Sequence, residues 1–168
     1  GIDAAGGRYV AFLDADDLWH PEKLAVQVAF MQERPDVRLS YTLATIHREG
    51  SGERFIPGVD VLGNAPHDDP RVNLLHIILV IVNYIFSTVL VETHALRDIG
   101  GFDENLPFQS EDRLLVAKLA AKHRIALCER VLCEYRAHAG SYTAGVIRDR
   151  LPPAIFFDVQ VRVMRWLV

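Results

Sequence analysis

Hydrophobic and polar positions along the chain form blocks that predict strands followed by helices. Residues 8–13 are largely apolar at both even and odd positions, which is typical of a parallel strand buried on both faces. The next block, residues 21–35, begins and ends with proline and carries Leu24, Val28 and Met31 at helical spacing. A strand followed by a helix of this kind indicates an α/β domain.

The same alternation continues towards the end of the chain. Further strands are predicted at residues 37–46, 85–92 and 125–135, and further helices at 71–82, 93–99 and 111–123. Residues 50–70 are rich in Gly, Pro, Asn and Asp and predict a long loop, while Ser110 is expected to cap the last of these helices. Residues 144–168 favour a helical segment, although 157–163 alternate at strand period. No repeat or linker divides the chain, so residues 1–168 are predicted to form one domain.

Composition and charge narrow the class of protein. Half of the 168 residues are hydrophobic, which is enough for the core of one domain and excludes intrinsic disorder. The net charge of −4 gives no basic surplus, so we expect no nucleic-acid partner. The longest apolar stretch, residues 74–91, is interrupted by His76, Asn83 and the pair Ser87-Thr88, so it does not make a membrane-spanning helix.

The two cysteines point to a reducing compartment. Cys128 and Cys133 are an odd number of positions apart in a predicted strand, which would place them on opposite faces and disfavour a disulfide. We therefore expect a cytoplasmic protein. The apolar C-terminal segment could pack on a membrane surface, on a second copy of the chain or on the rest of a longer protein.

Acidic residues end the first predicted strand. Asp14, Asp16 and Asp17 stand where a parallel strand would reach the carboxyl edge of its sheet, which is where open α/β folds bind ligands. In an extended backbone Asp14 and Asp16 would point to the same side, and their repulsion would be relieved by Mg²⁺ or Mn²⁺. Such a cation favours a phosphorylated ligand. The alternative is that the three acids only cap the following turn or helix.

Four ordered motifs carry a family resemblance that spans about residues 1–142. Residues 6–19, with Asp14-Ala15-Asp16-Asp17, resemble the DXD segment of family 2 glycosyltransferases with the GT-A fold. Residues 83–91 and 99–104 are similar to that family's acceptor-side strand and glycine-aromatic turn. The last two motifs are the Ser-Glu-Asp of residues 110–112 and the Tyr-Arg-Ala-His of residues 135–138.

The resemblance implies roles for residues on the donor side. In the family, the DXD acids hold a divalent cation that bridges the diphosphate of a nucleotide sugar. Asp14 would then contact the ribose or neighbouring donor groups, Asp16 would bind Mg²⁺ or Mn²⁺, and Asp17 would assist. His138 resembles the family's late histidine on the metal or diphosphate side, and Arg136 would neutralise diphosphate charge. The alternatives are a structural histidine and a solvated or salt-bridging arginine.

The acceptor side is assigned in the same way. By resemblance, Asp112 is the base that takes the proton of the attacking hydroxyl, and Glu111 positions the acceptor. Both acids also fit a structural role, because the first turn of a helix stabilises carboxylates. Gly100, Gly101 and Phe102 would line the acceptor side, although an aromatic residue beside such a turn also serves as packing.

The sequence departs from the family pattern in two ways. The family's opening βαβ region, which binds the nucleobase, does not precede the acidic residues, so the chain looks like a piece of a longer protein. The Gln-x-x-Arg-Trp motif of processive members is not matched, because Gln160 stands five positions before Arg165. A non-processive transfer is therefore expected.

The expected protein is a truncated GT-A α/β domain with a mixed, mostly parallel sheet flanked by helices. Its expected activity is inverting, metal-dependent transfer of a sugar from a nucleotide-diphosphate sugar to an acceptor hydroxyl. One alternative is a haloacid-dehalogenase-like phosphohydrolase, with Asp14 as nucleophile and Asp16 as acid and base, although Leu18 stands where that family expects Thr or Val. The other is an inactive metal- or phosphate-binding fragment.

Overall fold

The computed structural model describes residues 1–48, 50, 54–55, 85–105 and 111–141, together with positions 161 and 165. The strands are β1 (Tyr9–Ala11), β2 (Leu18–Trp19), β3 (Val37–Arg48), β4 (Arg54–Phe55), β5 (Leu90–Glu92) and β6 (Arg124–Ala137). The α-helices are α1 (Lys23–Gln32), α2 (Thr93–Asp98) and α3 (Glu111–Lys122), and short 3₁₀ helices cover Ile2–Ala4 and Phe86–Thr88.

The strands form one mixed sheet. Their order is β1-β5-β3-β6-β2, and β4 pairs with the end of β3. The mixed α/β fold is as predicted, but parallel pairing does not dominate among the described strands. Of the five pairings in the described part of the chain, that of β3 with β6 is parallel and the other four are antiparallel. The apolar pattern does not reveal this, because burial on both faces depends on the layers that cover the sheet and not on strand direction.

Helices cover both faces of the sheet. Helix α1 packs on one face, where Met31 joins Val37 and Leu90 in a small core cluster. Helices α2 and α3 pack on the other face and form the larger cluster with Leu39 and Val91. Alternate residues of β1 pack against the two clusters, as the apolar pattern of residues 8–13 predicts.

Helix α1 buries a face that its apolar spacing does not predict. Leu24 is 43 % exposed and Val28 is half-buried, whereas Lys23 and Gln27 are fully buried together with Met31. Hydrogen bonds explain this arrangement, because a buried polar group needs a partner and these two side chains pair with each other over 2.7 Å. Hydrophobic spacing alone cannot show such a pairing.

The long strand β6 is irregular opposite β3, and this changes the placement of the cysteines. Cys128 pairs with Thr42 and Cys133 with Ala44, so β6 advances five residues while β3 advances two. Because Thr42 and Ala44 are two positions apart, they share a face of the sheet, and the register shifts place both cysteines on that same face. The expectation of opposite faces is therefore wrong. Both thiols are free and buried.

Other expectations are met in part or lie outside the described residues. The predicted strand at 85–92 begins instead with the 3₁₀ helix Phe86–Thr88, and Gly100 and Gly101 end α2 with positive φ angles of 74° and 64°. Most of the predicted loop 50–70, the helix 71–82, Ser110 and nearly all of 144–168 lie outside the described residues. No helix in the described part of the chain has the length and apolar character to cross a bilayer.

Candidate active site

The acidic residues between β1 and β2 form a tight turn. The backbone N–H of Asp17 donates to the carbonyl oxygen of Asp14 over 3.1 Å, which closes a four-residue turn that we call the acidic turn (Asp14–Asp17). The backbone here is not extended, because Asp favours turns and β1 ends at Ala11. The carboxyl groups remain close, since Asp16 contributes to a raised pKa of Asp14.

Sheet topology brings three distant segments to this turn. Strands β1 and β6 run in the same direction, so the acidic turn after β1 and His138 after β6 lie at the same edge of the sheet. Strand β5 runs the opposite way, so the residues before it, including Ser87, reach that edge as well. The edge is the carboxyl end of β1, as the sequence predicts.

Ser87 joins these segments. Its hydroxyl donates to Oδ2 of Asp17 over 2.5 Å and accepts the backbone N–H of Asp14 over 3.0 Å. Its carbonyl oxygen accepts the indole N–H of Trp19 over 2.7 Å. Ser87 is fully buried. No sequence motif assigns Ser87 a role, although its polar side chain within a long apolar stretch is a signal that it has a buried hydrogen-bond partner.

Asp17 is buried beneath the turn. Its Oδ1 atom accepts the backbone N–H of Arg136 over 3.2 Å, while Oδ2 accepts the Ser87 hydroxyl. Burial raises the pKa of the Asp17 carboxyl, and these two hydrogen bonds lower it. Arg136 therefore reaches the acidic turn through its backbone, whereas the sequence suggests a role for its guanidinium group.

Asp16 and His138 lie side by side at the surface of the site. Nε2 of His138 is 3.1 Å from Oδ2 of Asp16, and the two side chains are 30 % and 40 % exposed respectively. A carboxylate oxygen suits Mn²⁺ or Mg²⁺, an imidazole nitrogen is a suitable additional ligand for Mn²⁺, and such ions keep further positions for water and phosphate oxygens. No group of three or more His, Cys, Asp and Glu side chains within the described ranges has the arrangement of a metal centre.

The first turn of α3 lies near the acidic turn. Burial raises the pKa of the Asp112 carboxyl, a hydrogen bond from the Arg113 N–H opposes this, and Glu111 and Asp14 raise it further. The pKa of Asp14 is raised by burial and, in smaller part, by Glu111. The carboxylates predicted for the donor and acceptor sides are thus close enough to interact.

The predicted acceptor-side residues lie beside α3. The Nζ atom of Lys118, on α3, donates to the carbonyl oxygen of Gly101 over 3.1 Å and ties the glycine turn to the helix that carries Asp112. Phe102 packs edge-on against Phe12, with ring centroids 6.0 Å apart. The aromatic ring thus contributes to the core next to the site.

Solved structures share this fold. The crystal structure of S. aureus TarS 1–349 matches with a TM-score of 0.61 and 20 % identity over 98 % of this chain and 48 % of that one. The same fragment in complex with UDP matches with a TM-score of 0.58 and 20 % identity, over 97 % of this chain and 48 % of that one.

The family follows from the sequence match. The model of the family described as glycosyltransferase like family 2 matches residues 1–149, and the chain belongs to this family. The predicted family is thereby confirmed, and the resemblance to haloacid-dehalogenase-like phosphohydrolases is not supported.

A curated relative is similar along most of the chain. It is an E. coli protein named UDP-Glc:alpha-D-GlcNAc-diphosphoundecaprenol beta-1,3-glucosyltransferase WfaP, 29 % identical over 88 % of this chain and 53 % of its own length. An uncharacterized glycosyltransferase of Rickettsia conorii is 27 % identical over 85 % of this chain and 22 % of its own. The chain thus spans about half or less of the length of these relatives.

Proposed function

We propose that the chain forms the catalytic part of an inverting, metal-dependent glycosyltransferase. The donor is a nucleotide-diphosphate sugar and the acceptor is a hydroxyl group of a growing glycan. Membership of a glycosyltransferase family, the UDP-glucose donor in the name of one relative and the UDP bound to a structural neighbour support the donor class.

One observation carries the proposal: carboxylates from two distant parts of the chain converge at one edge of the sheet. Asp14 follows β1, whereas Asp112 lies on α3. Burial raises the pKa of both carboxyl groups, and to a smaller extent Glu111 raises that of Asp14 and Asp14 raises that of Asp112. Sugar transfer with inversion at the anomeric carbon needs the leaving diphosphate on one side of the sugar and a base on the opposite side. Acidic groups from two directions match this requirement.

The chain's own residues divide the work as follows. Asp112 takes the proton of the acceptor hydroxyl as the new glycosidic bond forms, and its raised pKa makes it a stronger base. Glu111 orients the acceptor, and Lys118 holds the glycine turn next to it. Asp14 contacts the sugar nucleotide. A divalent cation held by Asp16 and His138 would neutralise charge on the departing diphosphate.

The test is an Asp112→Asn variant of the full-length natural protein. Nucleotide release is measured with a panel of UDP-, GDP- and dTDP-sugars, and donor affinity is measured separately by calorimetry. We expect turnover to fall by about 10²- to 10⁴-fold with donor affinity retained. Asp98→Asn, the same change at an exposed position of α2, is the matched control and should leave turnover unchanged.

Three results would contradict the proposal. Undiminished turnover in Asp112→Asn would remove the assigned base. A product with retained anomeric configuration in the NMR spectrum would contradict the single displacement. Absence of nucleotide release and of nucleotide binding across the donor panel would favour the inactive alternative.

A further inference from the structure

A polar chain of contacts runs from helix α1 to the acidic turn. It begins at Lys23, which is 0 % exposed and whose Nζ atom donates to Oε1 of Gln27 over 2.7 Å. The same ammonium group lies 4.4 Å from the centroid of the Trp19 ring, within the range of a cation–π contact.

The next contacts lead from Trp19 to the acidic turn. The indole N–H of Trp19 donates to the Ser87 carbonyl oxygen over 2.7 Å. The hydroxyl of Ser87 then bonds both the backbone N–H of Asp14 and the carboxylate of Asp17. One buried cation is thus connected to both ends of the acidic turn through two intermediate residues.

Gln27 provides a second connection to the same segment. Its Nε2 atom donates to the carbonyl oxygen of Thr88 over 3.0 Å and lies 3.2 Å from the hydroxyl of Ser40 on β3. Because Thr88 follows Ser87 directly, Gln27 and Trp19 hold neighbouring peptide groups from two sides. The 3₁₀ helix that carries Ser87 is therefore anchored to α1 and not only to its own strand.

Stability alone gives little reason for a lysine here. Removing an ammonium group from water is costly, and an apolar residue of similar length would fill the same space without that cost. Burial lowers the pKa of Lys23 to about 8, which reflects this penalty. Charged groups that are buried at a cost to stability are expected where function requires them.

We propose that Lys23 is a positioning residue for the candidate site: acting through Trp19 and Ser87, its ammonium group holds the acidic turn in place. The relevance of this role for catalysis rests on the function proposed above. Lys23 is not a catalytic residue, because it reaches the carboxylates only through other residues.

The first test is independent of activity. In ¹H–¹⁵N NMR spectra of the full chain, Lys23→Met should shift the Asp14 amide signal and accelerate hydrogen exchange of the Trp19 indole N–H by about tenfold. Met31→Leu is the matched control, because it changes a buried side chain of the same helix outside the contact chain while nearly conserving its volume. It should leave both signals unchanged. Unchanged signals in Lys23→Met would overturn the proposal.

The second test measures binding of Mn²⁺ by calorimetry. We expect Lys23→Met to weaken Mn²⁺ binding by about tenfold, at the low end of the effect of residues that orient metal ligands. Trp19→Phe keeps an aromatic ring at this position but removes the indole N–H, so it should weaken Mn²⁺ binding to a similar extent. The Lys23→Met/Trp19→Phe double variant should bind Mn²⁺ with an affinity no lower than that of the single variant with the lower affinity. Additive losses of Mn²⁺ affinity would contradict action through Trp19.

The outcomes separate the two proposals. If the unaltered protein binds Mn²⁺ and Lys23→Met keeps the NMR signals and the affinity, the positioning role is wrong and the proposed function stands. If the full-length natural protein binds neither Mn²⁺ nor nucleotide but Lys23→Met changes the Asp14 and Trp19 signals, the positioning role stands and the proposed function fails. Trp19→Phe, judged by the Asp14 amide signal, decides the matter if Lys23→Met does not fold.

Discussion

The hydroxyl of Ser87 and the Oδ2 atom of Asp17 are 2.5 Å apart although 70 residues separate them in the chain. This is the distance of a short O–H···O hydrogen bond. Because the same hydroxyl accepts the Asp14 N–H, one buried side chain fixes both ends of the acidic turn. The stability of the turn should therefore depend on Ser87.

Replacing Ser87 tests this dependence. Ser87→Ala leaves the Asp14 N–H without its acceptor and removes a donor from the buried Asp17 carboxylate, so the free energy of unfolding should fall by about 1–3 kcal/mol. Urea denaturation measures the change. The control is Thr42→Val, because the buried Thr42 hydroxyl has no hydrogen-bond partner among the described residues. Thr42→Val should be neutral or stabilising, and an equal loss in both variants would contradict the prediction.

The pH dependence of stability should show the buried Lys23. Its pKa is lowered from 10.5 to about 8 by burial, so between these pH values the unfolded chain holds a proton that the folded chain has released. The free energy of unfolding therefore rises with pH across this window, by on the order of 3 kcal/mol.

The measurement compares the unaltered chain with Lys23→Met. Urea denaturation of both at pH values spanning that window gives the difference in their free energies of unfolding. As the pH rises, the free energy of unfolding of the unaltered chain should increase relative to that of Lys23→Met. The raised pKa of Cys133 acts in the opposite direction in both proteins; its main cause, burial, is common to them, whereas the lowering by Lys23 is lost in Lys23→Met. A pH-independent difference would show that Lys23 keeps an ordinary pKa.

The glycine turn gives a prediction about backbone strain. Gly100 has a φ of +74°, and an added Cβ atom would meet nothing within 4 Å. Gly100→Ala should thus lower the melting temperature through strain alone, at a cost of about 1–2 kcal/mol. Asn tolerates this conformation better, so Gly100→Asn should cost less. Gly6→Ala is the control, because a Cβ atom added at Gly6 also meets nothing within 4 Å and the φ of Gly6 is not positive. A loss of stability in Gly6→Ala as large as that in Gly100→Ala would argue against strain.

The two thiols should be unreactive in the folded protein. Burial raises the pKa of Cys133 to about 12 and also raises that of Cys128, so neither forms the thiolate that attacks disulfide reagents. Labelling with a disulfide reagent near neutral pH should modify both cysteines in urea and neither under native conditions. Rapid labelling without urea would show that the strand β6 opens readily.

Much of the fold is predictable from the sequence because its signals are local. The apolar residues before the acidic cluster form a strand, the proline-bounded block forms α1, and the glycine pair ends α2 with positive φ angles. Glu111 and Asp112 occupy the first turn of α3 as predicted. In each case the deciding physics involves residues only a few positions apart.

The expectations that are wrong depend on distant partners. Lys23 and Gln27 replace Leu24 on the buried face of α1 because Trp19, Ser40 and Thr88 supply polar contacts to them. Cys128 and Cys133 share a face because β6 shifts register against β3. Such contacts form only when the sheet has assembled, so no local pattern encodes them.

The candidate site shows the same division. Motifs in the sequence are enough to predict the family and to single out Asp14, Asp16, Asp112 and His138 as candidates, because each motif spans only a few neighbouring residues. Folding adds that Ser87 joins the acidic turn to the segment before β5 and that Lys23 lies buried behind it. Strand direction explains this convergence, because β1 and β6 run one way and β5 the other, which brings three distant chain segments to one edge of the sheet.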